Sequence, residues 1–265
     1  MTAENMRNEI DHLSASQINL YLQCSLKYRF QYIDKLPMPF KPSGLAFGSV
    51  IHSSLDWFHK QKIKGNALSL DKLLKVFEAD WFSQKVETEI RYKNGETDKG
   101  MLRMGKQMLS QYFHSGQNSP VEAEVPFALP LIEPITGEVL EPTLAGIMDL
   151  IEQDHVVVEF KTSARTMDSQ SLHDSLQLTC YSYAYGMLFQ KEPTLLKVVN
   201  FVKTRTPKMM VVEAKRERDD YQRLFHLAKE VLRGIQSQVF FPRQNFMCRD
   251  CQYAVPCEGW ARNHN

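Results

Sequence analysis

Apolar residues in the first part of the chain recur at helical spacing. From Ser16 to Asp34 they fall at every third or fourth position, which predicts a helix with Ser14 or Ser16 as its N-cap. Three prolines and a glycine in residues 36–44 end this pattern. Three more helices are predicted over residues 45–62, 70–88 and 98–115.

From Val121 onward the pattern changes to the alternation that is typical of strands. Strands are predicted over residues 121–129, 143–152, 155–162, 195–204 and 208–215. Helical patterns return over residues 171–190 and 217–238. This order predicts an α/β fold. We expect a single domain over 1–265, with a mainly helical portion (1–120), an α/β core (121–240) and a cysteine-containing tail (241–265).

Composition and charge narrow the classes of protein only slightly. The formal net charge is +1, which argues against a histone-like partner but leaves local binding of DNA open. No stretch approaches the ~20 apolar residues of a membrane span. The polar N-terminal segment lacks the apolar core of a signal peptide. These features predict a cytoplasmic protein with no membrane partner.

Two predicted strands carry the most informative pattern, in the segment Gly146–Thr162. The period of two places Glu159 and Lys161 on one strand face, and Asp149 lies on the adjoining strand. Two acids and a lysine that converge could hold a divalent cation and stabilise the charge that develops during phosphodiester hydrolysis. Taken alone, Glu-x-Lys on a strand is also typical of an exposed ion pair.

These residues resemble the D…(D/E)xK signature of the PD-(D/E)XK nucleases. Two further motifs stand where the RecB-like exonuclease branch has them, Gly48-x-x-x-His52 before the strands and Gln177-x-x-x-Tyr181 after them. Glu124 stands where related nucleases carry an acidic residue. The resemblance covers nearly the whole chain and implies a restriction-endonuclease-like core, with a mixed central sheet flanked by helices.

The resemblance also implies a role for each matching residue. His52, Asp149 and Glu159 would ligate Mg²⁺ or Mn²⁺, together with the backbone carbonyl of Phe160. Lys161 would be the catalytic lysine, and Glu124 would be a further catalytic acid, with Glu122 as its competitor on the same strand. Gln177 and Tyr181 would contact DNA or steady the active site. His59 is expected to be structural.

Four of the five cysteines form a second candidate site. Cys248, Cys251 and Cys257 give C-x2-C-x5-C in the tail, and three thiolates need a fourth ligand, for which Cys24 is the candidate. This pattern resembles the iron–sulfur subgroup of RecB-like nucleases, which includes the AddB nuclease domain and the CRISPR-associated exonuclease. It implies a [4Fe–4S] cluster that joins the tail to Cys24, with Zn²⁺ as the alternative. Cys180 is expected to be a buried free thiol.

The resemblance implies a metal-dependent DNA exonuclease that acts on single-stranded DNA or DNA ends, in recombination, DNA repair or CRISPR adaptation. The sequence contains no G-x4-G-K-[ST] phosphate-binding loop, so a helicase would be a separate partner, as would CRISPR integrase proteins. Two other hypotheses stay open. One is a catalytically silent DNA-binding or partner-docking module with a structural metal site, and the other is a metal-dependent hydrolase or zinc module of unrelated fold.

Overall fold

The computed structural model describes residues 10–116 and 119–263. The N-terminal residues 1–9, whose polar character argued against a signal peptide, lie outside the described residues. Contacts divide the chain into two compact units. The α/β unit comprises residues 40–126 and 147–215, and the helical unit comprises the segments up to Pro39, from Phe127 to Gly146, and from Arg216 onward. The prediction of a single domain stays a prediction.

The helices and strands follow the predicted order. The α-helices are α1 (Ala15–Gln23), α2 (Ser25–Tyr28), α3 (Ser43–Ile63), α4 (Leu70–Glu87), α5 (Asp98–Ser115), α6 (Ser169–His173), α7 (Leu176–Phe189), α8 (Arg218–Gln236) and α9 (Ala254–Asn263). The strands are β1 (His12–Leu13), β2 (Lys41–Pro42), β3 (Ile90–Arg91), β4 (Pro120–Ile132), β5 (Val139–Glu152), β6 (Val156–Ser163), β7 (Leu195–Val202) and β8 (Lys208–Ala214).

The main sheet is mixed, as predicted. Strand β5 pairs with β1 and β4, and its last residues run antiparallel to β6 with Leu150 opposite Val158. Strand β6 is parallel to β7, and β7 is antiparallel to β8. A parallel pair needs a crossover connection, and α6 and α7 supply it between β6 and β7. The α/β fold with a mixed central sheet flanked by helices is therefore confirmed.

The core of the α/β unit lies where α3, α4 and α5 bury their apolar faces. Phe47 packs edge-to-face against Phe77 and Trp81, with ring centroids 6.3 Å apart in both pairs. Phe160 and Phe201 of the sheet belong to the same buried cluster. Because Phe160 lies between Glu159 and Lys161, this packing holds the strand that carries both candidate residues.

The predicted helix over residues 16–34 is wrong in one respect, because it breaks at Cys24. Ser14 caps α1 through a reciprocal pair of hydrogen bonds with Gln17, but Cys24 is extended at φ −164° and ψ 101°. The Ser25 hydroxyl exchanges hydrogen bonds with the backbone of Phe241, whose carbonyl also accepts from the N–H of Leu26. This long-range pairing replaces intrahelical bonds, and local spacing does not reveal it.

Other boundaries match within a few residues, with one more interruption. The predicted helix over 171–190 divides into α6 and α7 at residues 174–175, where the Ser175 hydroxyl caps α7 by accepting from the N–H of Leu178. In the helical unit, α8 buries an apolar stripe along one face. Within residues 10–116 and 119–263, no helix combines the length and apolar character needed to cross a membrane.

Candidate active site

Four elements of the α/β unit supply the candidate active-site side chains. His52 lies on α3, Asp149 on β5, Glu159 and Lys161 on β6, and Gln177 with Tyr181 on α7. The strand period places Glu159 and Lys161 on the same face of β6. On α7, positions 177 and 181 are one helical turn apart and therefore share a face.

Gln177 connects the two residues of β6. Its carbonyl Oε1 accepts a hydrogen bond from Lys161 Nζ at 3.0 Å, and its Nε2 donates to Glu159 Oε2 at 3.0 Å. The same Nε2 also donates to the hydroxyl of Tyr181 at 3.0 Å. Lys161 Nζ lies 3.1 Å from Glu159 Oε1, which closes the network. One amide thus holds the ammonium group and the carboxylate in fixed relative positions.

Asp149 lies between His52 and the backbone of β6. Its Oδ1 is 3.4 Å from His52 Nδ1, and its Oδ2 accepts a hydrogen bond from the N–H of Phe160 at 2.8 Å. Burial lowers the pKa of His52, but the hydrogen bond and charge of Asp149 outweigh this effect, so its pKa is raised. The role of the Phe160 carbonyl stays a prediction, because the contacts of this residue with Asp149 run through its N–H.

The two acids are buried together. Glu159 is 2% exposed and Asp149 is 8% exposed. Burial raises the pKa of Glu159 first, and the neighbouring charge and hydrogen bond of Asp149 raise it further, against the opposing effects of Lys161 and His52. A site that forces two carboxyl groups together away from water has an excess of negative charge that a cation would neutralise.

This donor set fits a hard divalent cation, since carboxylate oxygens are the ligands that Mg²⁺ and Mn²⁺ prefer. The donors adjoin one another without surrounding a common point. Accordingly, no group of three or more His, Cys, Asp or Glu side chains forms a preassembled metal site in the part of the chain that the structure describes. The assignment of individual ligands stays a prediction.

Glu124 is the weakest of the sequence predictions, and the structure places it beside this group. Its backbone has φ +52°, a left-handed conformation that interrupts the strand alternation of β4. Burial raises the pKa of Glu124, followed by the charges of Asp149 and Asp56. Its competitor Glu122 is exposed and faces a different group. Burial raises the pKa of Tyr185, and the charge of Glu122 raises it further. Of the two acids, Glu124 is therefore the one that adjoins the site.

Sequence reasoning missed Asp56. It lies one turn after His52 on α3, and its negative charge helps to raise the pKa of Glu124. Lys60 Nζ lies 2.8 Å from its Oδ1. The signal was present in the sequence, because an acid four residues after a candidate ligand on a helix shares the face of that ligand.

His59 and Cys180 are both buried in the α/β unit. The His59 ring is fully buried, stacks on Phe160 at 5.8 Å and shares a hydrogen bond of 2.8 Å with the Tyr112 hydroxyl. Burial lowers the pKa of His59 to about 3, so the ring is neutral at pH 7. Cys180 is a buried free thiol, and burial raises its pKa to about 12.

The four remaining cysteines all lie in the helical unit and are free thiols. Burial raises the pKa of Cys257, and the charges of Cys24, Cys251 and Cys248 raise it further. The charges of these thiols thus reach Cys257, but the described cysteines form no group of three or more that could hold a metal ion. The cluster stays a prediction.

An acid and a lysine on one strand of a mixed sheet, with a second acid on the antiparallel neighbour, define the core of a nuclease with a restriction-endonuclease-like fold. The sequence model of the PD-(D/E)XK nuclease superfamily matches residues 12–258, and the chain belongs to this superfamily.

Comparison with solved structures supports the fold. The chain is similar to a candidate exonuclease from Eubacterium rectale, with a TM-score of 0.56 and 13% identity over 98% of this chain and 92% of the other. Weaker similarity is found to the protein SSO0001, with a TM-score of 0.45 and 14% identity over 95% of this chain and 87% of that one. No curated protein matches the chain.

Proposed function

We propose that this protein is a Mg²⁺- or Mn²⁺-dependent deoxyribonuclease of the RecB-like branch, an exonuclease acting on single-stranded DNA or DNA ends. The observation that carries the proposal is the network of Lys161, Glu159 and Gln177, with Asp149 buried against it. A structural ion pair needs no second buried acid. A phosphodiester-hydrolysing site does, because two acids create the negative environment that attracts a cation.

The side chains of this network divide the work. Asp149, Glu159 and His52 would hold the cation. When bound, the cation would supply water activation and charge neutralisation. The Lys161 ammonium would stabilise the negative charge that develops on the scissile phosphate. Gln177 orients Lys161 and Glu159. Its Nε2 also donates a hydrogen bond to the hydroxyl of the buried Tyr181, which helps to fix the position of the amide. Glu124 would provide an additional acid beside Asp149.

The experiment is a time course on end-labelled single-stranded and double-stranded DNA with Mn²⁺. We expect Asp149→Ala and Lys161→Ala to reduce the rate by about a hundredfold or more, which is the range for removal of a group that stabilises transition-state charge. Lys197→Ala is the matched control, because Lys197 also pairs with a buried acid, Glu152, at 2.6 Å. Digestion by both site variants at the wild-type rate would show that the site is assigned to the wrong residues.

The alternative of a catalytically silent DNA-binding or docking module is disfavoured by the side chains themselves. A silent module has no need for a buried Glu159 that contacts both Asp149 and Lys161. Binding of DNA without hydrolysis at any concentration of Mg²⁺ or Mn²⁺ would favour that alternative.

We further propose that Cys24, Cys248, Cys251 and Cys257 hold a [4Fe–4S] cluster, as in the iron–sulfur subgroup. The proposal is supported by the pKa of Cys257, which burial raises and the charges of Cys24, Cys251 and Cys248 raise further. Four cysteine thiolates suit both an iron–sulfur cluster and Zn²⁺, and zinc is the competing assignment. The cluster would tie the tail to the break between α1 and α2, and its role would be structural.

Colour and metal content separate the two assignments. Protein purified anaerobically should be brown, with broad absorbance near ~400 nm, the absorption typical of cysteine-ligated iron–sulfur clusters. Cys24→Ala should remove this absorbance, whereas Cys180→Ala should keep it because Cys180 lies in the α/β unit. Colourless protein with stoichiometric zinc would refute the cluster and leave the nuclease proposal unchanged.

The biological setting follows from the branch. Recombination, DNA repair and CRISPR adaptation all use RecB-like exonucleases, with a separate helicase or with integrase proteins as partners. Copurification with either class of partner would select between these settings.

A further inference from the structure

A basic groove runs along α5 in the α/β unit. Lys99, Arg103 and Lys106 follow one another at spacings of four and three residues, so they share one face of the helix. This face and the turn at Thr206–Pro207 line an open, shallow cavity of about 600 Å³. A second cavity of about 420 Å³ adjoins it, because both are lined by Arg103, Gln107 and Pro207, and Arg205 completes its wall.

The walls of the groove are held together. Gln111 Nε2 on α5 donates a hydrogen bond to the carbonyl oxygen of Pro207 at 2.9 Å. Contacts between α5 and β8 extend along the same side. The basic residues therefore project from a rigid surface, which reduces the entropic cost of binding a ligand there.

Three of the basic groups are available to a ligand. Lys99, Arg103 and Arg205 are exposed and form no ion pair with any other residue in the ranges that the structure describes. Lys106 pairs with Glu78 at the edge of the groove. The acid that lines the groove, Glu96, is occupied by the hydroxyl of Ser43 and the N–H of Lys93.

A line of contacts connects the groove with the candidate active site. His52, Gly48 and Gly44 lie on one face of α3, each one turn or about 6 Å apart. A Cβ at Gly48 would lie 3.3 Å from Thr162 Oγ1, on the face of β6 opposite Lys161, and a Cβ at Gly44 would lie 3.4 Å from Lys203 Nζ. Lys203 precedes Arg205 by two residues, so basic groups continue from the α3 face that carries His52 into the groove.

We infer that this groove binds the sugar–phosphate backbone of a nucleic-acid strand whose end lies in the active site. The inference rests on the proposed function and adds to it a substrate track remote from the reacting phosphate. Spaced cations with neutral hydrogen-bonding groups between them, here Gln107, Ser110 and Thr206, are typical of backbone contacts. An acidic polypeptide could use the same charges, but it has no reason to follow a path that leads to His52 and Asp149.

The test measures binding of a fluorescent single-stranded oligonucleotide of about 20 nucleotides, longer than the ~4–16 nucleotides that common single-strand sites cover. Asp149→Ala provides a background in which the substrate stays intact. Lys99, Arg103 and Arg205 are replaced together by Gln. The matched control replaces Lys64, Lys72 and Lys191 by Gln, since these are also exposed lysines of the α/β unit.

We expect the groove variant to bind about tenfold or more weakly than the background. Its dependence of log K on log salt should be shallower by about 2, because each lost single-strand phosphate contact removes about 0.7 from the slope. The control variant should bind within about twofold of the background, because scattered surface charges make no defined phosphate contacts.

Three results would overturn the inference. They are unchanged binding by the groove variant, equal weakening in the control, and binding of poly-glutamate that depends on the groove while binding of DNA does not. Failure of the wild-type protein to hydrolyse DNA would refute the proposed function alone, because the binding assay requires no hydrolysis.

Discussion

Replacement of Gln177 by Met tests whether the amide positions the catalytic groups. Methionine has similar length and no hydrogen-bonding groups at the same place, so the shape of α7 is kept. The variant loses the bond from Lys161 Nζ and the two bonds to Glu159 Oε2 and the Tyr181 hydroxyl, each of 3.0 Å. Among the residues that the structure describes, Glu159 is then the remaining polar partner of Lys161.

The magnitude follows from the charges involved. Two of the three lost bonds include a charged partner, and such bonds contribute about 1.5–3 kcal/mol each. If the bond to Lys161 alone determines its orientation at the scissile phosphate, its loss corresponds to about a tenfold to hundredfold decrease in kcat. The free energy of unfolding should fall by about 1–3 kcal/mol, because buried Glu159 loses one donor.

Single-turnover hydrolysis of end-labelled DNA, with the unfolding midpoint measured in parallel, separates the two effects. Gln170→Met is the matched control, because Gln170 also bonds a carboxylate, that of Asp174 at 2.7 Å, on the exposed surface of α6. The control should hydrolyse DNA at the wild-type rate. A wild-type rate in Gln177→Met would refute the positioning role, even if that variant were less stable.

Two further predictions concern stability. Gly105→Ala should destabilise the protein by about 1–3 kcal/mol, since its Cβ would lie 2.0 Å from Phe77 Cζ. The control Gly259→Ala should be neutral or slightly stabilising, because its Cβ meets no atom within 4 Å. Urea denaturation of the two variants and the wild type measures the difference. The folded-state pKa of His59 is depressed to about 3 from 6.5, so the unfolded state takes up a proton as pH falls below 6.5 and stability decreases by up to about 1.4 kcal/mol per pH unit. His59→Gln should flatten the dependence of the free energy of unfolding on pH between pH 6.5 and 5. The control His226→Gln, at an exposed position, should leave this dependence unchanged. The same dependence in both variants and the wild type would contradict the role of His59.

Much of the fold could be predicted because it depends on local patterns. The boundaries of α3, α4 and α5 agree with the predicted helices within two residues, since apolar periodicity and the caps Ser69 and Thr97 mark them in the sequence. The face shared by Glu159 and Lys161 also follows from local geometry, because the strand period alone determines it.

Long-range contacts determined what could not be predicted. The break at Cys24 depends on hydrogen bonds with Phe241, more than 200 residues away in sequence. Glu124 reaches the site through a left-handed backbone conformation that strand alternation does not indicate.

By itself, the sequence determined which chemical groups are present and the face of each helix or strand on which they lie, because both depend on residue type and backbone period. The tertiary structure alone decided which of those faces meet, since pairing of β5 with β6 and packing of α7 against β6 bring Asp149 and Gln177 to Glu159. Desolvation of the two acids is a consequence of that packing, and so is the altered pKa of Glu159.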